Sequence, residues 1–383
     1  MSSQTFAIKP THRGWDVVLS VNEEAVSGLA VVDQKVRIGS AGITMAGIAG
    51  VWTSDKHRKK GYATQVMWAA IEEMERRKYD ISILFGIPDF YHRYGYAVCF
   101  TSPMCQVESD TIAVSKPPGM RTRAARAEDY KRIVALYRQT NADRSASTLR
   151  PGDWQPRHRK RGRPAGWRMP RMGPDIERRP GRAFVVENAR KQIVAYAAYD
   201  AQDGHCYVIE VGSADRMAYP AIAHKARQIA RQVGAERIRF AGPVDDPFGE
   251  YLGRFGCGWS INFPQNSGSM GRVITLSSMI RRLLPVLDQR LIDTGICLPE
   301  QGLTIRTDIG SVTLSQGSNG LQLSETSGIL CECSQMTLTQ LIFGYRSLED
   351  LVLNDISLPK KWNTLLSTLF PRQTPYMWWA DRF

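Results

Sequence analysis

The most constraining feature of the chain is a basic, glycine-containing loop that stands between an apolar run and an amphipathic helix. The apolar run covers residues 48–53, the loop residues 57–64 and the helix residues 63–79. The first turn of a helix has backbone N–H groups without helical partners, and the helix dipole adds positive potential there. Because a loop that leads into such a turn binds anions, this order of elements predicts a phosphate site at the start of the helix.

The residues after this helix continue the same structural unit. An apolar run at 81–85 predicts a second buried strand, and an aromatic segment at 90–96 follows it. Pro88 suits the first position of a short helix over 89–94, and Gly95 suits its end.

Composition limits the class of protein. A length of 383 residues predicts two or three domains, and 43% apolar with 23% charged residues is typical of a globular protein. There is no long apolar run, and residues 1–5 lack the features of a secretion signal, so we predict a cytoplasmic protein without membrane contact. The seven cysteines have no regular spacing, and Cys331 and Cys333 would share one strand face. We therefore expect reduced, structural thiols and no metal site.

The net charge of +13 predicts an anionic partner, and much of it comes from one segment. Residues 150–182 contain ten Arg and one Lys against three acidic residues. Gly and Pro are also frequent there, so we interpret residues 156–180 as a long irregular surface loop.

The chain divides into three predicted units. Alternating apolar residues predict an antiparallel strand pair joined through residues 22–24, and the Pro-rich joint at 116–119 ends the first unit, residues 1–117. The second unit, residues 118–269, repeats the strand and helix order of the first, which indicates an internal duplication. It lacks the basic glycine loop and has Leu252 where the first unit has Tyr91, so we interpret it as scaffold. The third unit, residues 270–383, combines a helix, short strands and an aromatic end that is expected to dock.

The segment from Arg58 to Ala63 resembles the acetyl-CoA signature of the GNAT superfamily. Together with residues 84–91, the second unit and the final Asp381-Arg382-Phe383, it makes the chain similar to the Eis-like (enhanced intracellular survival) acetyltransferases. The resemblance implies an α+β fold in which two tandem GNAT-like mixed-sheet domains precede a sterol-carrier-like α+β domain. It also implies a homohexamer and an N-acetyltransferase that moves an acetyl group from acetyl-CoA to a primary amine.

The resemblance further implies where acetyl-CoA binds. Backbone groups of Val51, Trp52 and Thr53 would pair with the pantetheine arm, and one N–H would stabilise the tetrahedral oxyanion. Gly86 and Ile87 would contact the cofactor from the neighbouring strand. The residues that would hold the pyrophosphate are Arg58, Lys59, Lys60, Gly61, Tyr62, Ala63 and Thr64.

Two catalytic groups follow from the same resemblance. Tyr91 matches the family tyrosine that protonates the departing thiolate as a general acid. The terminal carboxylate of Phe383 would act as general base through a water relay. The plainer interpretations are that Tyr91 is a core residue and Phe383 a hydrophobic latch. His92 does not fall on the matched position and is not the expected base.

The acceptor does not carry over from the resemblance. Relatives begin with a strand and two helices that form one wall of the amine pocket, and here only about a dozen residues precede the first predicted strand. Either the true start lies upstream, or the acceptor site is more open. A polyamine, an aminoglycoside-like amine and a peptide lysine all remain candidates. The rival hypothesis is a nucleic-acid-binding protein that uses the basic segment 157–182, and lipid carriage by the third unit is a further alternative.

Overall fold

The computed structural model describes residues 3–152, 167–168, 180–351 and 355–383. The strands are β1 (Gln4–Thr11), β2 (Gly14–Val21), β3 (Glu24–Ile38), β4 (Ala41–Thr53), β5 (Ile81–Gly86), β6 (Ala97–Val98), β7 (Met104–Glu108), β8 (Arg121–Ala124), β9 (Trp167–Arg168), β10 (Pro180–Glu187), β11 (Ile193–Gln202), β12 (His205–Ser213), β13 (Arg237–Phe240), β14 (Cys257–Ser260), β15 (Gly268–Val273), β16 (Leu303–Thr307), β17 (Gly310–Gly317), β18 (Gly320–Ser324), β19 (Ile329–Cys333) and β20 (Ile356–Ser357). The helices are α1 (Tyr62–Arg76), α2 (Tyr130–Thr140), α3 (Tyr219–Gln232), α4 (Pro247–Leu252), α5 (Leu276–Thr294), α6 (Gln335–Phe343), α7 (Leu348–Leu351) and α8 (Asn363–Leu369).

The strands form three sheets. The first has the order β1-β2-β3-β4-β5-β15-β6, and the second has the order β14-β7-β13-β12-β11-β10-β8, with β9 paired to β10. The third has the order β18-β17-β16-β19-β20. In the first two sheets one central pair is parallel, β4 with β5 and β12 with β13, and the remaining pairs are antiparallel. This shared plan agrees with the predicted internal duplication.

The first two sheets exchange one strand each. β7 precedes the second unit in the chain and pairs with β13 in the second sheet, whereas β15 follows that unit and pairs with β5 in the first sheet. The two strands occupy equivalent places, each beside the parallel pair. The predicted boundaries at 117 and 269 therefore do not separate the two sheets, because each sheet takes a strand from beyond its own boundary.

Apolar side chains cover both faces of the first sheet. α1 packs on one face, with Val66, Ala70 and Met74 against the sheet. The opposite face, which includes Met45 and Ile83, packs against α5 and the third sheet. The third unit thus forms one side of the first unit's core.

Two terminal segments complete the architecture. Residues 4–11 form an edge strand along β2, so the short N-terminus has a regular structure that sequence patterning did not predict. At the other end Tyr376, Trp378 and Trp379 are buried in the core of the second unit, which confirms the predicted docking of the aromatic end.

The remaining sequence expectations have mixed outcomes. The predicted helix over 89–94 is a 3-10 helix, Tyr91–Tyr94, and β6 and β7 follow it. Residues 156–166 and 169–179 of the predicted basic loop lie outside the described residues, and Trp167–Arg168 pair as a strand rather than lying in an irregular loop. Five of the seven cysteines are buried. None of the helices in the described ranges is long and apolar enough to cross a bilayer.

Candidate active site

The site begins where β4 and β5 separate. Their parallel pairing runs from Met45 with Ile81 to Ile48 with Leu84 and then ends. Beyond this point β4 continues to Thr53 bonded only to β3, and β5 continues to Gly86 bonded only to β15. The facing edges of the two strands thus present backbone N–H and C=O groups without a strand partner. The residues predicted for the pantetheine arm lie on this free edge of β4.

A bulge interrupts β4 at the same place. The register with β3 shifts between Gly28 and Ala30, which pair with Trp52 and Ala49, and Gly50 has a positive φ of 57°. The Ser27 hydroxyl donates to the carbonyl of Trp52 at 2.8 Å and fixes the strand after the bulge. Because a bulge turns backbone groups out of the ladder, it can aim an N–H at a bound carbonyl.

The basic loop leads directly into α1. Gly61 is the N-cap residue, with a φ of 78°, and it offers no side-chain acceptor to the first turn. The amides of Tyr62, Ala63 and Thr64 are therefore available to an anion. Lys59 is exposed beside them, and Arg58 pairs with Asp55 at 2.8 Å in a solvent-exposed contact that a phosphate could replace. These groups fit the pyrophosphate of acetyl-CoA.

Tyr91 packs against the end of β5. A Cβ atom on Gly86 would lie 2.5 Å from Tyr91 Cδ2, so the absence of a side chain at Gly86 makes room for the ring. The Tyr91 side chain is buried, and Phe90 lies edge-on to it with ring centroids 4.9 Å apart.

The hydroxyl of Tyr91 differs from those of its two tyrosine neighbours. The Tyr94 hydroxyl donates to Thr64 Oγ1 at 3.0 Å, and the Tyr96 hydroxyl donates to Ser82 Oγ at 2.7 Å. The Tyr91 hydroxyl has no hydrogen-bond partner among the described residues. Burial, with a smaller contribution from Tyr94, raises the pKa of Tyr91, so its hydroxyl is protonated at neutral pH.

Phe383 approaches β5 from the other face. Its ring lies over Gly47, where a Cβ atom would be 2.5 Å from Phe383 Cζ, and it contacts Phe85 edge-on with centroids 5.6 Å apart. Phe85 and Gly86 are consecutive in β5, and consecutive strand residues point to opposite faces. Phe383 and Tyr91 therefore reach the free end of β5 from opposite sides of the sheet.

A buried ionic network holds the segment before Phe383. Arg150 is fully buried and donates to both carboxylate oxygens of Asp381, Nε to Oδ1 at 2.8 Å and Nη2 to Oδ2 at 2.9 Å. It also donates to Glu210, with Nη1 to Oε1 at 2.8 Å and Nη2 to Oε2 at 2.5 Å. Tyr137 donates to Asp381 Oδ2 at 2.9 Å, and Tyr196 donates to Glu210 Oε1 at 2.7 Å. The second unit thus fixes the chain two residues before Phe383.

Sequence reasoning missed this network. In the sequence, Arg150 is only the first residue of a basic run, and nothing in the pattern gives the second unit a role beyond scaffold. One signal was present, because Glu210 is a single carboxylate in the apolar run of β12 and a buried charge requires a partner. Burial raises the pKa of Glu210 even though Arg150 opposes this effect.

Comparison with known proteins gives the class of the first unit. Residues 4–99 match the family profile described as an acetyltransferase (GNAT) domain. No curated protein shows a significant sequence match to the chain.

Solved structures extend the likeness to nearly the whole chain. A conserved protein from Enterococcus faecalis V583, described as a probable N-acyltransferase, is 15% identical with a TM-score of 0.74, over 96% of this chain and 89% of that one. A GCN5-related N-acetyltransferase from Kribbella flavida is 19% identical with a TM-score of 0.69, over 96% and 87%. Eis1 from Mycobacterium abscessus is 15% identical with a TM-score of 0.64, over 98% and 92%. At such identities the likeness concerns the fold.

Residues 4–99, which supply six of the seven strands of the first sheet, therefore match a GNAT acetyltransferase domain, and this match indicates acyl transfer from acetyl-CoA. The predicted fold class, with two GNAT-like mixed sheets and a third α+β unit, is confirmed, as is the prediction of a GNAT acyltransferase. More particularly, the chain is similar in fold to Eis1, as its motifs suggested.

Proposed function

We propose that the protein transfers an acetyl group from acetyl-CoA to a primary amine by direct attack of the amine on the thioester. Tyr91 protonates the departing thiolate as general acid, and the terminal carboxylate of Phe383 removes a proton from the attacking amine through water. The observation that supports this proposal is that Tyr91, whose hydroxyl has no partner among the described residues, and Phe383 both contact the end of β5 that has separated from β4.

Each part of the site has a distinct chemical role in this proposal. The free edge of β4 binds the pantetheine arm through Val51, Trp52 and Thr53, and one N–H there stabilises the oxyanion. Residues 58–64 bind the pyrophosphate, while Gly86 and Ile87 contact the cofactor from β5. No step requires a metal ion.

Binding of acetyl-CoA is the primary test. Calorimetric titration of the full chain should give one site, and the Lys59→Gln/Lys60→Gln variant should bind more weakly because it loses charge beside the pyrophosphate. No detectable binding to the intact protein would exclude an acetyl-CoA-dependent enzyme.

Tyr91→Phe tests the general acid. We expect acetyl transfer to fall by about 10²- to 10⁴-fold with acetyl-CoA affinity nearly unchanged, since only the proton donor is removed. Tyr251→Phe is a matched control, because Tyr251 is a half-buried tyrosine of the second unit whose pKa burial also raises. Equal turnover in both variants would return Tyr91 to a core role.

The carboxylate of Phe383 is tested without disturbing its ring. Semisynthesis with a C-terminal amide in place of the carboxylate should lower turnover and leave cofactor affinity intact, whereas the same ligation with a free carboxylate should be fully active. The proposal requires Phe383 to be the last residue of the mature protein, which mass spectrometry of its C-terminal peptide checks. Full activity of the amide would leave Phe383 as a hydrophobic latch.

Acceptor and assembly are further proposals. The acceptor is an amine-bearing small molecule or a peptide lysine, and coenzyme A release measured by chromatography with a polyamine, an aminoglycoside and a lysine peptide ranks these classes. Resemblance to Eis-like enzymes supports a cytoplasmic homohexamer and a sterol-carrier-like third unit. Light scattering of the purified chain tests the oligomeric state. We keep the division into three units at 117 and 269, with β7 in the second sheet and β15 in the first.

A further inference from the structure

A cavity lies at the end of α1 that is opposite the loop proposed to bind the pyrophosphate. Its volume is about 1520 Å³, and its walls come from β3, the turn after α1, residues 148–151 and residues 380–382. α1 has 15 residues, so about 22 Å of helix separates this cavity from the open turn at Tyr62. None of the residues proposed to contact acetyl-CoA lines it.

The walls of this cavity are strongly basic. Nine Lys and Arg side chains line it against two Asp, and both Asp are already engaged. Asp33 accepts from the Tyr79 hydroxyl, and Asp381 is bound by Arg150. Three of the cations pair with carboxylates that do not line the cavity. By contrast, Lys35 and Arg37 of β3 have side chains with neither an ion pair nor a hydrogen bond to any described residue.

Arg382 adds a half-buried cation to this wall. Its guanidinium carbon lies 4.8 Å from the Phe85 ring centroid, its Nε donates to the carbonyl of Met377 at 3.2 Å, and its Nη2 donates to Ser102 Oγ at 3.3 Å. No carboxylate among the described residues is within ion-pair distance. Burial lowers the pKa of Arg382, yet a guanidinium keeps its charge, so an anion in the cavity would offset a desolvation cost.

Two residues of the cavity wall carry buried polar atoms without a hydrogen-bond partner. Thr148 is 7% exposed, and its Oγ1 has no hydrogen-bond partner. Gln34 Oε1 is likewise buried without a partner, although its Nε2 donates to the carbonyl of Asp381 at 3.1 Å. A buried hydroxyl of this kind requires a partner, and a ligand oxygen supplies one.

We propose that this cavity is a second binding site, separate from the acetyl-CoA site, for a small molecule that carries several negatively charged oxygen groups. Phosphate and carboxylate groups share this chemistry. Lys35, Arg37 and Arg382 supply the charge, and Thr148 donates a hydrogen bond. Because Arg382 precedes Phe383, an occupant also restrains the terminal residue and alters acetyl transfer, an effect that rests on the proposed function.

Calorimetry distinguishes phosphate from carboxylate ligands, and it distinguishes the cavity from the acetyl-CoA site. Inorganic pyrophosphate and citrate are titrated separately into full-length protein saturated with coenzyme A, so that the loop at α1 is occupied. The same titrations into the Lys59→Gln/Lys60→Gln variant without coenzyme A keep the test independent of cofactor binding. At least one probe should bind at a single site, with an affinity that falls as salt rises.

Variants then locate the site. Lys35→Gln/Arg37→Gln should weaken binding by about tenfold through lost charge, and Thr148→Val by about fivefold through the lost hydroxyl. Arg190→Gln/Lys191→Gln removes the same charge from an exposed turn and should leave affinity unchanged. Absence of binding by both probes would overturn the proposal, as would equal weakening in the control, which would indicate attraction by net charge alone. Circular dichroism checks that each variant is folded.

Discussion

Replacing Arg150 by Met tests whether the buried network controls both stability and the placement of the terminal residue. Arg150 makes four hydrogen bonds, of 2.5 to 2.9 Å, to the carboxylates of Asp381 and Glu210. Met fills similar volume but leaves two carboxylates buried without a cation. Removing one partner of a buried ion pair costs about 3–5 kcal/mol.

Protonation of the stranded carboxylates limits this cost. The ordinary pKa of a carboxyl is about 4, roughly three units below pH 7. Protonating such a carboxyl at pH 7 therefore costs about 4 kcal/mol. Glu210 already has a raised pKa in the intact network. Protonating Glu210 in the variant therefore costs less than protonating a carboxyl with an ordinary pKa. We therefore expect Arg150→Met to lower the unfolding free energy at pH 7 by about 3–5 kcal/mol.

The pH dependence has a definite sign. In the variant, burial without Arg150 raises the pKa of Glu210 further above its unfolded value. A raised carboxyl pKa gives stability that is present below the unfolded value and is lost as pH rises through the folded value. The deficit of the variant should therefore be small near pH 4.5 and grow toward pH 7.

Urea unfolding followed by tryptophan fluorescence measures this deficit, because Trp378 and Trp379 are buried beside the network. Arg237→Met is the control: Arg237 pairs with Glu108 on the surface, and its replacement should change the stability little. Arg150→Met/Glu210→Gln/Asp381→Asn removes the stranded charges and should regain much of the stability. A deficit under about 1 kcal/mol at pH 7, or one independent of pH, would refute the reasoning.

Three further predictions follow from other contacts. Gly47→Ala places a Cβ within 2.5 Å of Phe383 and should lower turnover while calorimetric acetyl-CoA affinity stays near that of the wild type; equal loss of affinity would contradict a role limited to the terminal residue. Gly61→Ala forces a side chain into a φ of 78°, which costs about 1–2 kcal/mol and should raise the dissociation constant for acetyl-CoA; unchanged binding would count against the loop geometry. Burial raises the pKa of Asp246 to about 6, so its contribution to stability, about 3 kcal/mol, is present below about pH 4 and is lost as pH rises through 6. Asp246→Asn should flatten this part of the profile of unfolding free energy against pH, measured by urea unfolding. An unaltered slope would disprove this role of Asp246.

The cofactor-binding half of the site could be predicted from sequence because it is contiguous. The strand, the basic loop and the first turn of α1 follow one another in the chain, and each has a local signal. β1 escaped prediction because its apolar alternation is limited to Phe6 and Ile8, and both side chains are exposed. The predicted helix over 63–79 and strand over 81–85 agree with α1 and β5 within a few residues, since apolar periodicity is also local.

The remaining parts depend on contacts between distant residues. Arg150 and Asp381 are 231 positions apart, and no local pattern distinguishes this arginine from the ten other basic residues of its segment. The exchange of β7 and β15 is equally hidden. They are short strands of five and six residues, and pairing partners are chosen by the whole sheet rather than by the strand.

Strand exchange sets a timing problem during synthesis. β5 ends at Gly86, but its partner β15 begins at Gly268, 182 residues later, so the ribosome needs about 10 to 40 s to supply it. In that interval the edge of β5 is exposed, and β7, a strand that also pairs antiparallel beside a parallel pair, has already emerged. β7 must remain unpaired with β5 until β13 appears. Nascent chains that pair these nearer strands would reach a competing topology, and a chaperone that shields the β5 edge would raise the yield of active protein.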